Sequence, residues 1–259
     1  MGTVSKALTL LRFFSRSRPA IGLSDMSRLS GLNKATTHRL LTELESQGFV
    51  EQVGPTREYR LGPVFLRYAA LREAAVPTRD IATQVLSDLS AVTHETAHFS
   101  LLQKNTLSTV AYVYSSHHGT RVTMENAEVL VLHATSSGLA VLAFATDAFV
   151  DRALSRPLER FTDNTITDPE AIRAMLPDIR RNGFSEGIGG LEIDTHSHAA
   201  PVFDASQQVI GAIAVAAPTA RMTPAHSHLI RGELRKHALR LTQLLGGFPP
   251  ESLLNEDAA

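Results

Sequence analysis

The stretch from Leu23 to Leu61, LSDMSRLSGLNKATTHRLLTELESQGFVEQVGPTREYRL, leaves few folds open. Leu23, Met26, Leu29 and Ser30 keep a helical rhythm, with Ser24 and Asp25 where an N-cap and a first-turn acid belong. Gly31 breaks that helix and Leu32 plugs the gap to the next. Asn33 caps a second helix, Lys34 to Gln47, whose Leu40, Leu41 and Leu44 share one face. After Gly48, Phe49–Val53 and Tyr59–Leu61 flank the turn Gly54-Pro55-Thr56-Arg57-Glu58 as two strands of a ribbon. Two short helices around a tight turn, followed by a ribbon, form a winged helix-turn-helix, which places one helix in the major groove of DNA.

The front of the second helix carries Lys34, Thr36, Thr37, His38 and Arg39. Short hydroxyls and a forked cation at a helix N-terminus suit base edges and phosphates. Ser24 at the first helix, and Arg57, Tyr59 and Arg60 on the wing, are placed to touch the DNA backbone or minor groove. Charge agrees. Residues 1–72 hold eleven Lys and Arg against five acids, a net +6, while the whole chain is −1, which leaves −7 for the rest. A near-neutral average hides a basic head and an acidic body.

At 259 residues, 43% of them hydrophobic, the chain has length for two cores. It has no cysteine, hence no disulfide framework and no thiolate metal site. The opening run is an amphipathic helix, Ser5 to Phe14, with Val4, Leu8, Leu11 and Phe14 or Leu10 as its stripe. Lys6 and Arg12 interrupt it, so it is not a signal peptide. No apolar run is long enough for a membrane span, and the cytoplasm is the expected location. Val64 to Ala75 reads as a linker helix whose Leu66, Ala69 and Ala70 face suits packing against a second copy, with Pro77 as the boundary. Beyond it the order is mixed. A helix (Thr78–Thr93) precedes strands at Thr96–Leu102, Leu107–Tyr114 and Arg121–Met124. A hydroxyl-rich loop, His133-Ala134-Thr135-Ser136-Ser137, enters a helix through Ala143. Helices at Asp147–Ser155 and Pro169–Asn182, strands at His196–Val202 and Val209–Ala216, and a helix from Thr223 to Leu245 complete an α+β domain.

Rival chemistries are weaker. Gly183-Phe184-Ser185-Glu186-Gly187 matches G-x-S-x-G, with Asp204 and His226 in hydrolase order. That elbow needs a strand before it and a helix after, whereas here a helix ends at Gly183. Ten of eleven histidines lie beyond residue 90. His196 and His198 share a strand face and are the best metal candidates, beside His117-His118 and His226-x-His228, but no converging acid is evident in the sequence. If Ser197 faces a pocket, His196 and His198 face away. His98 sits on a mostly apolar strand, as a core residue or a donor to a ligand carbonyl. Thr167 with Glu170 reads as a capping box. No nucleotide-binding motif occurs, so no cofactor is expected.

The chain resembles the IclR family of bacterial transcription regulators along nearly its whole length. The resemblance is carried by the head, REYRLGP, HATSSGLAVLAF, RFTDNTITDPEAI, IRRNGFSEG and AAPVFDASQQVIGAIAVAAPTARMTP. It implies a winged helix-turn-helix at 1–62, a linker helix at 63–76 and a GAF-like effector-binding domain at 77–248. It further implies operator DNA and a small-molecule effector as partners, and a homodimer or dimer of dimers. Members that sense small carboxylates carry an Asp, a Cys and two Ser around the ligand. The matching places here are Gly187, Ser197, Ala214 and Ala216. The loop pair that offers amides is Ser136-Ser137, and a common Lys is Leu139. His98, Val122, Ser136, Ser137, Gly187, Ser197, Ala214 and Ala216 make up the expected effector site. Lost polar groups favour an aromatic or acyl effector over a two- or three-carbon keto acid, and repression of a catabolic operon is the expected role. A serine hydrolase using Ser185, or a metal-responsive regulator using His196 and His198, is the alternative.

Overall fold

A computed structural model describes residues 2–15, 18–75, 78–124 and 129–253. Its contacts divide the chain into Met1–Pro77 and Thr78–Ala259, so the linker helix clusters with the head. The break expected at Pro77 lies outside the described residues.

In the first unit, α1 (Thr3–Leu11), α2 (Leu23–Ser30) and α3 (Lys34–Ser46) close around Leu10, Met26, Leu40, Leu41, Leu44 and Tyr59. Gly31 takes the left-handed conformation at φ 67°, the geometry glycine adopts without strain, and the Asn33 side chain accepts from the Thr36 amide. Three expectations need correction. α1 starts before Ser5 and ends at Leu11. Its stripe centres on buried Leu10, which leaves Val4 73% and Leu8 53% exposed, because Leu8 lies about 200° around the helix from Leu10. The N-cap of α2 is Gly22 without a side-chain bond, and Ser24 lies inside the helix.

The ribbon, β2 (Val50–Val53) and β3 (Glu58–Leu61), gains a third strand that the sequence reading missed, β1 (Ala20–Ile21). The order is β1-β3-β2, with Ile21 opposite Tyr59. From α4 (Val64–Ala75), Phe65 and Tyr68 pack on Phe49 at 5.6 and 6.1 Å. Leu66, Tyr68 and Leu71 are nonetheless largely exposed.

The second unit is built on one antiparallel sheet of β4 (Thr96–Gln103), β5 (Thr106–Val113), β6 (Val129–Val131), β7 (Ser185–Ile188), β8 (Thr195–Phe203) and β9 (Val209–Pro218). Its order is β6-β5-β4-β9-β8-β7. On one face α5 (Thr78–Thr93) and α9 (Pro224–Leu244) cover Phe99, Val202, Ile213 and Val215. On the other, α6 (Ser136–Phe144), α7 (Asp147–Leu154) and α8 (Pro169–Asn182) cover Leu107, Ala199, Phe203 and Ala212. Residues from Ser136 to Ala143 of α6 are all buried, so α6 is a core helix whose start reaches the sheet.

The Arg121–Met124 run is not a strand. Its backbone is held by side chains instead: Thr96 Oγ1 donates to Val122 O at 2.7 Å, and the Met124 amide donates to Tyr114 Oη at 2.9 Å. The N-cap of α8 is Asp168, which accepts from the Glu170 amide; Thr167 Oγ1 instead accepts from Arg160.

Candidate functional site

On the head, Lys34, His38 and Arg39 are exposed and Thr36 half-exposed. Thr37 is a correction: it is fully buried, and its hydroxyl donates to Asn33 O at 3.0 Å. The face presented outward includes Ala35 and Thr42, which the sequence reading passed over. Both follow from the period, since Ala35, His38, Arg39 and Thr42 lie opposite Leu40, Leu41 and Leu44. On the wing, Arg57 is exposed with its Nε on Gln52 at 3.1 Å, and Arg60 is paired with Glu51 at 2.6 Å. Tyr59 is the second correction. At 1% exposure it belongs to the core of the head, because the alternation that turns Arg60 outward turns Tyr59 inward.

In the second unit a cavity of about 60 Å³ opens at the start of α6. Val122, Met124, Leu130, Ala134, Leu191 and Ala216 supply apolar walls. Polar groups come from His98 on β4, Ser136 and Ser137 at the first turn of α6, and Thr195 and Ser197 on β8. Gly187 on β7 completes the wall; a Cβ there would stand 3.1 Å from the Ser136 amide nitrogen and 3.4 Å from Ser197 Oγ. Thr135 caps α6 by accepting from the Gly138 amide, so the positive end of the helix faces this space. Ser136 and Ser197 share a hydrogen bond at 2.8 Å. His98 Nε2 meets Ser137 Oγ at 3.3 Å, while its Nδ1 is buried without a hydrogen-bond partner. Burial pulls the His98 pKa down to about 4, so the ring is neutral at pH 7. Glu192 is the only carboxylate, and no Lys or Arg stands, among the described residues of the lining.

The expected effector-site residues thus converge here except Ala214. It is fully buried, packed with Ala199 and Ala212 in the core beneath α6 and α8, and lines no part of the cavity.

Alternation on β8 turns His196 and His198 to the opposite face, as expected, where Glu186 of β7 meets them. Burial pulls His198 down to about 4, against Glu186, which pulls it up. The hydrolase elbow is absent. Gly183 ends α8 at φ 71°, and Ser185 opens a strand. The Ser185 hydroxyl is 1% exposed and donates to the carbonyls of Ser136 and Ala199. Asp204 accepts from the amides of Ser206 and Gln208 in a turn.

By class, a chain that joins a basic reading head to a cavity for a small organic molecule is a ligand-responsive transcription regulator. Residues 3–54 match the IclR helix-turn-helix domain, and residues 72–243 match the bacterial transcriptional regulator IclR C-terminal domain. The chain belongs to the IclR family. An IclR transcriptional regulator from Silicibacter sp. TM1040, solved by crystallography, is 54% identical with a TM-score of 0.91, covering 97% of this chain and 99% of that one. The transcriptional repressor IclR of Escherichia coli (strain K12) is 26% identical, over 95% of this chain and 90% of its own length. An IclR homolog from Microbacterium hydrocarbonoxydans, crystallised with 4-hydroxybenzoate, is 26% identical with a TM-score of 0.58, covering 95% of this chain and 99% of that one. These relatives are regulators of transcription rather than enzymes. No described helix is long and apolar enough to cross a membrane.

Proposed function

We propose that the chain is a cytoplasmic repressor of a nearby catabolic operon, released or engaged by an aromatic or acyl acid. The observation that carries the effector class is the cavity lining. Apolar walls from Val122, Met124, Leu130 and Leu191 lie beyond the amides and hydroxyls of Ser136, Ser137 and Ser197, with no Lys or Arg among the described lining residues. The helix end suits a carboxylate or carbonyl, and His98 suits a second polar atom. A two- or three-carbon keto acid would leave the apolar walls unfilled. A relative crystallised with 4-hydroxybenzoate supports the same class. A ring needs more room than about 60 Å³, so the walls part to admit it.

On DNA, Lys34, Thr36, His38 and Arg39 enter the major groove, while Ser24, Arg57 and Arg60 take phosphates. Two copies pair through the exposed Val4 and Leu8 of α1 and Leu66, Tyr68 and Leu71 of α4. Pairing presents two recognition helices to a pseudo-palindrome, and two such dimers make the tetramer form. Effector control follows only from unequal affinity for the DNA-competent and DNA-incompetent arrangements.

A thermal-shift series tests the effector class. Benzoate-like acids and amides stabilise the protein, by about 2.7 kcal/mol at a hundredfold excess over Kd. Glyoxylate or pyruvate as the strongest stabiliser, with the aromatic acids inert, would overturn it.

A further inference from the structure

We propose that Glu186, His196 and His198 form a binding site for one divalent transition-metal ion of the zinc type, on the sheet face away from the effector cavity. The three residues come from paired strands: Glu186 stands opposite His198 in the β7–β8 ladder, and His196 is two residues from His198 on the same face. Each offers one ligand atom, and those atoms all lie within 4.8 Å of one another. Glu186 Oε1 is 2.7 Å from His196 Nε2 and 3.7 Å from His198 Nε2. A tetrahedral zinc ion with bonds of about 2.1 Å needs ligand atoms about 3.4 Å apart, so the two spacings bracket the target.

Two His and one carboxylate are a borderline donor set that takes zinc, cobalt or nickel in preference to calcium or magnesium. A position for a fourth ligand exists, because Ser227 Oγ of α9 lies 2.7 Å from His198 Nε2. The hydroxyl or a water that replaces its contact completes the shell.

One group opposes the ion. Arg231 Nη2 lies 3.6 Å from Glu186 Oε1, and its guanidinium rests over Phe184 at 5.2 Å from the ring centroid. Arg231 balances the carboxylate while no ion is bound. At 38% side-chain exposure it can swing into solvent when one arrives. Glu186 and His198 are neighbours in sequence to Gly187 and Ser197, whose opposite faces line the cavity. On the proposed reading of that cavity, the ion stiffens the wall against which the effector packs.

The test uses the full-length, tag-free chain after chelator treatment, titrated with Zn²⁺ by calorimetry and with Co²⁺ by visible absorption. One ion per chain binds, and Co²⁺ gives the intense visible bands of a tetrahedral site. His196→Gln and Glu186→Gln weaken binding about tenfold or more, whereas Arg231→Ala strengthens it by removing the competing charge. The pair His117→Gln with His118→Gln, at the other histidine cluster, leaves it unchanged. The proposal is overturned if His196→Gln and Glu186→Gln bind Zn²⁺ as the unmodified chain does. It is equally overturned if neither the unmodified chain nor Arg231→Ala binds below millimolar Zn²⁺. Far-ultraviolet circular dichroism of each variant separates loss of the site from loss of the fold.

Discussion

Arg39 and Thr37 sit two residues apart and do opposite work. Arg39 is exposed at the front of α3, whereas Thr37 is buried against the head. Arg39→Ala is expected to cost about 1–3 kcal/mol of operator binding and relax sequence preference, with the fold intact. Thr37→Val removes a buried hydroxyl bond and costs about 1 kcal/mol of stability, while operator affinity holds. Gel retardation and thermal melts together separate the two. The difference was legible in the sequence, since Thr37 lies three, four and seven residues before Leu40, Leu41 and Leu44 and shares their face. Residue type drew it into the DNA set and period takes it out. Gly187→Asp puts a carboxylate beside the Ser136 amide, the place proposed for an anionic effector head. Stabilisation by aromatic acids is expected to vanish in that variant, as read by thermal shift. His98 has a pH signature. Its folded pKa near 4 lies below the ordinary 6.5, so the unfolded chain binds a proton that the folded one refuses. The folded state keeps its full margin above about pH 6.5 and loses about 3 kcal/mol as pH falls to about 4. Urea melts of His98→Gln across that range are expected to show a correspondingly shallower fall.

Among elements, the join between β4 and the end of β9 carries a buried ion pair. Glu95, 1% exposed, accepts both arms of Arg221 at 2.7 Å, and His226 Nε2 is 3.7 Å away. Arg221→Ala leaves a buried carboxylate without its main partner and is expected to cost about 3 kcal/mol; replacing both residues with neutral ones recovers part of it, as denaturant melts would report. The long elements were legible because caps and period agree: α5, α8, α9 and strands β4, β5, β8 and β9 fall within a residue or two of their expected limits. The short ones were not. β1 has two residues and β6 three, too few for alternation to register, and each exists because a neighbouring strand offers an open edge. Arg121–Met124 failed in the reverse sense, strand-like in composition yet bonded to side chains. Ala214 shows a further limit. Parity along β9 places it on the correct face with Ala216, but parity says nothing of distance along the strand, and Ala214 lies too far under α6 to reach the cavity.

For the whole molecule, charge is divided as the two functions require: +6 on residues 1–72 and −7 on the rest. Contacts to phosphates release counterions, so operator affinity is expected to fall with log salt at a slope of about −0.9 per phosphate neutralised. Arg57→Ala should flatten that slope by about one while preserving the preferred sequence, measured by retardation across a salt series. Val4, Leu8, Leu66 and Leu71 face outward on the same unit that carries the recognition helix. A solitary subunit therefore carries oily side chains that water rejects, which a twin covers on the pairing proposed above. Under that proposed pairing regulation acquires a threshold: below the concentration at which twins form, doubling the number of subunits quadruples the species expected to sit on an operator.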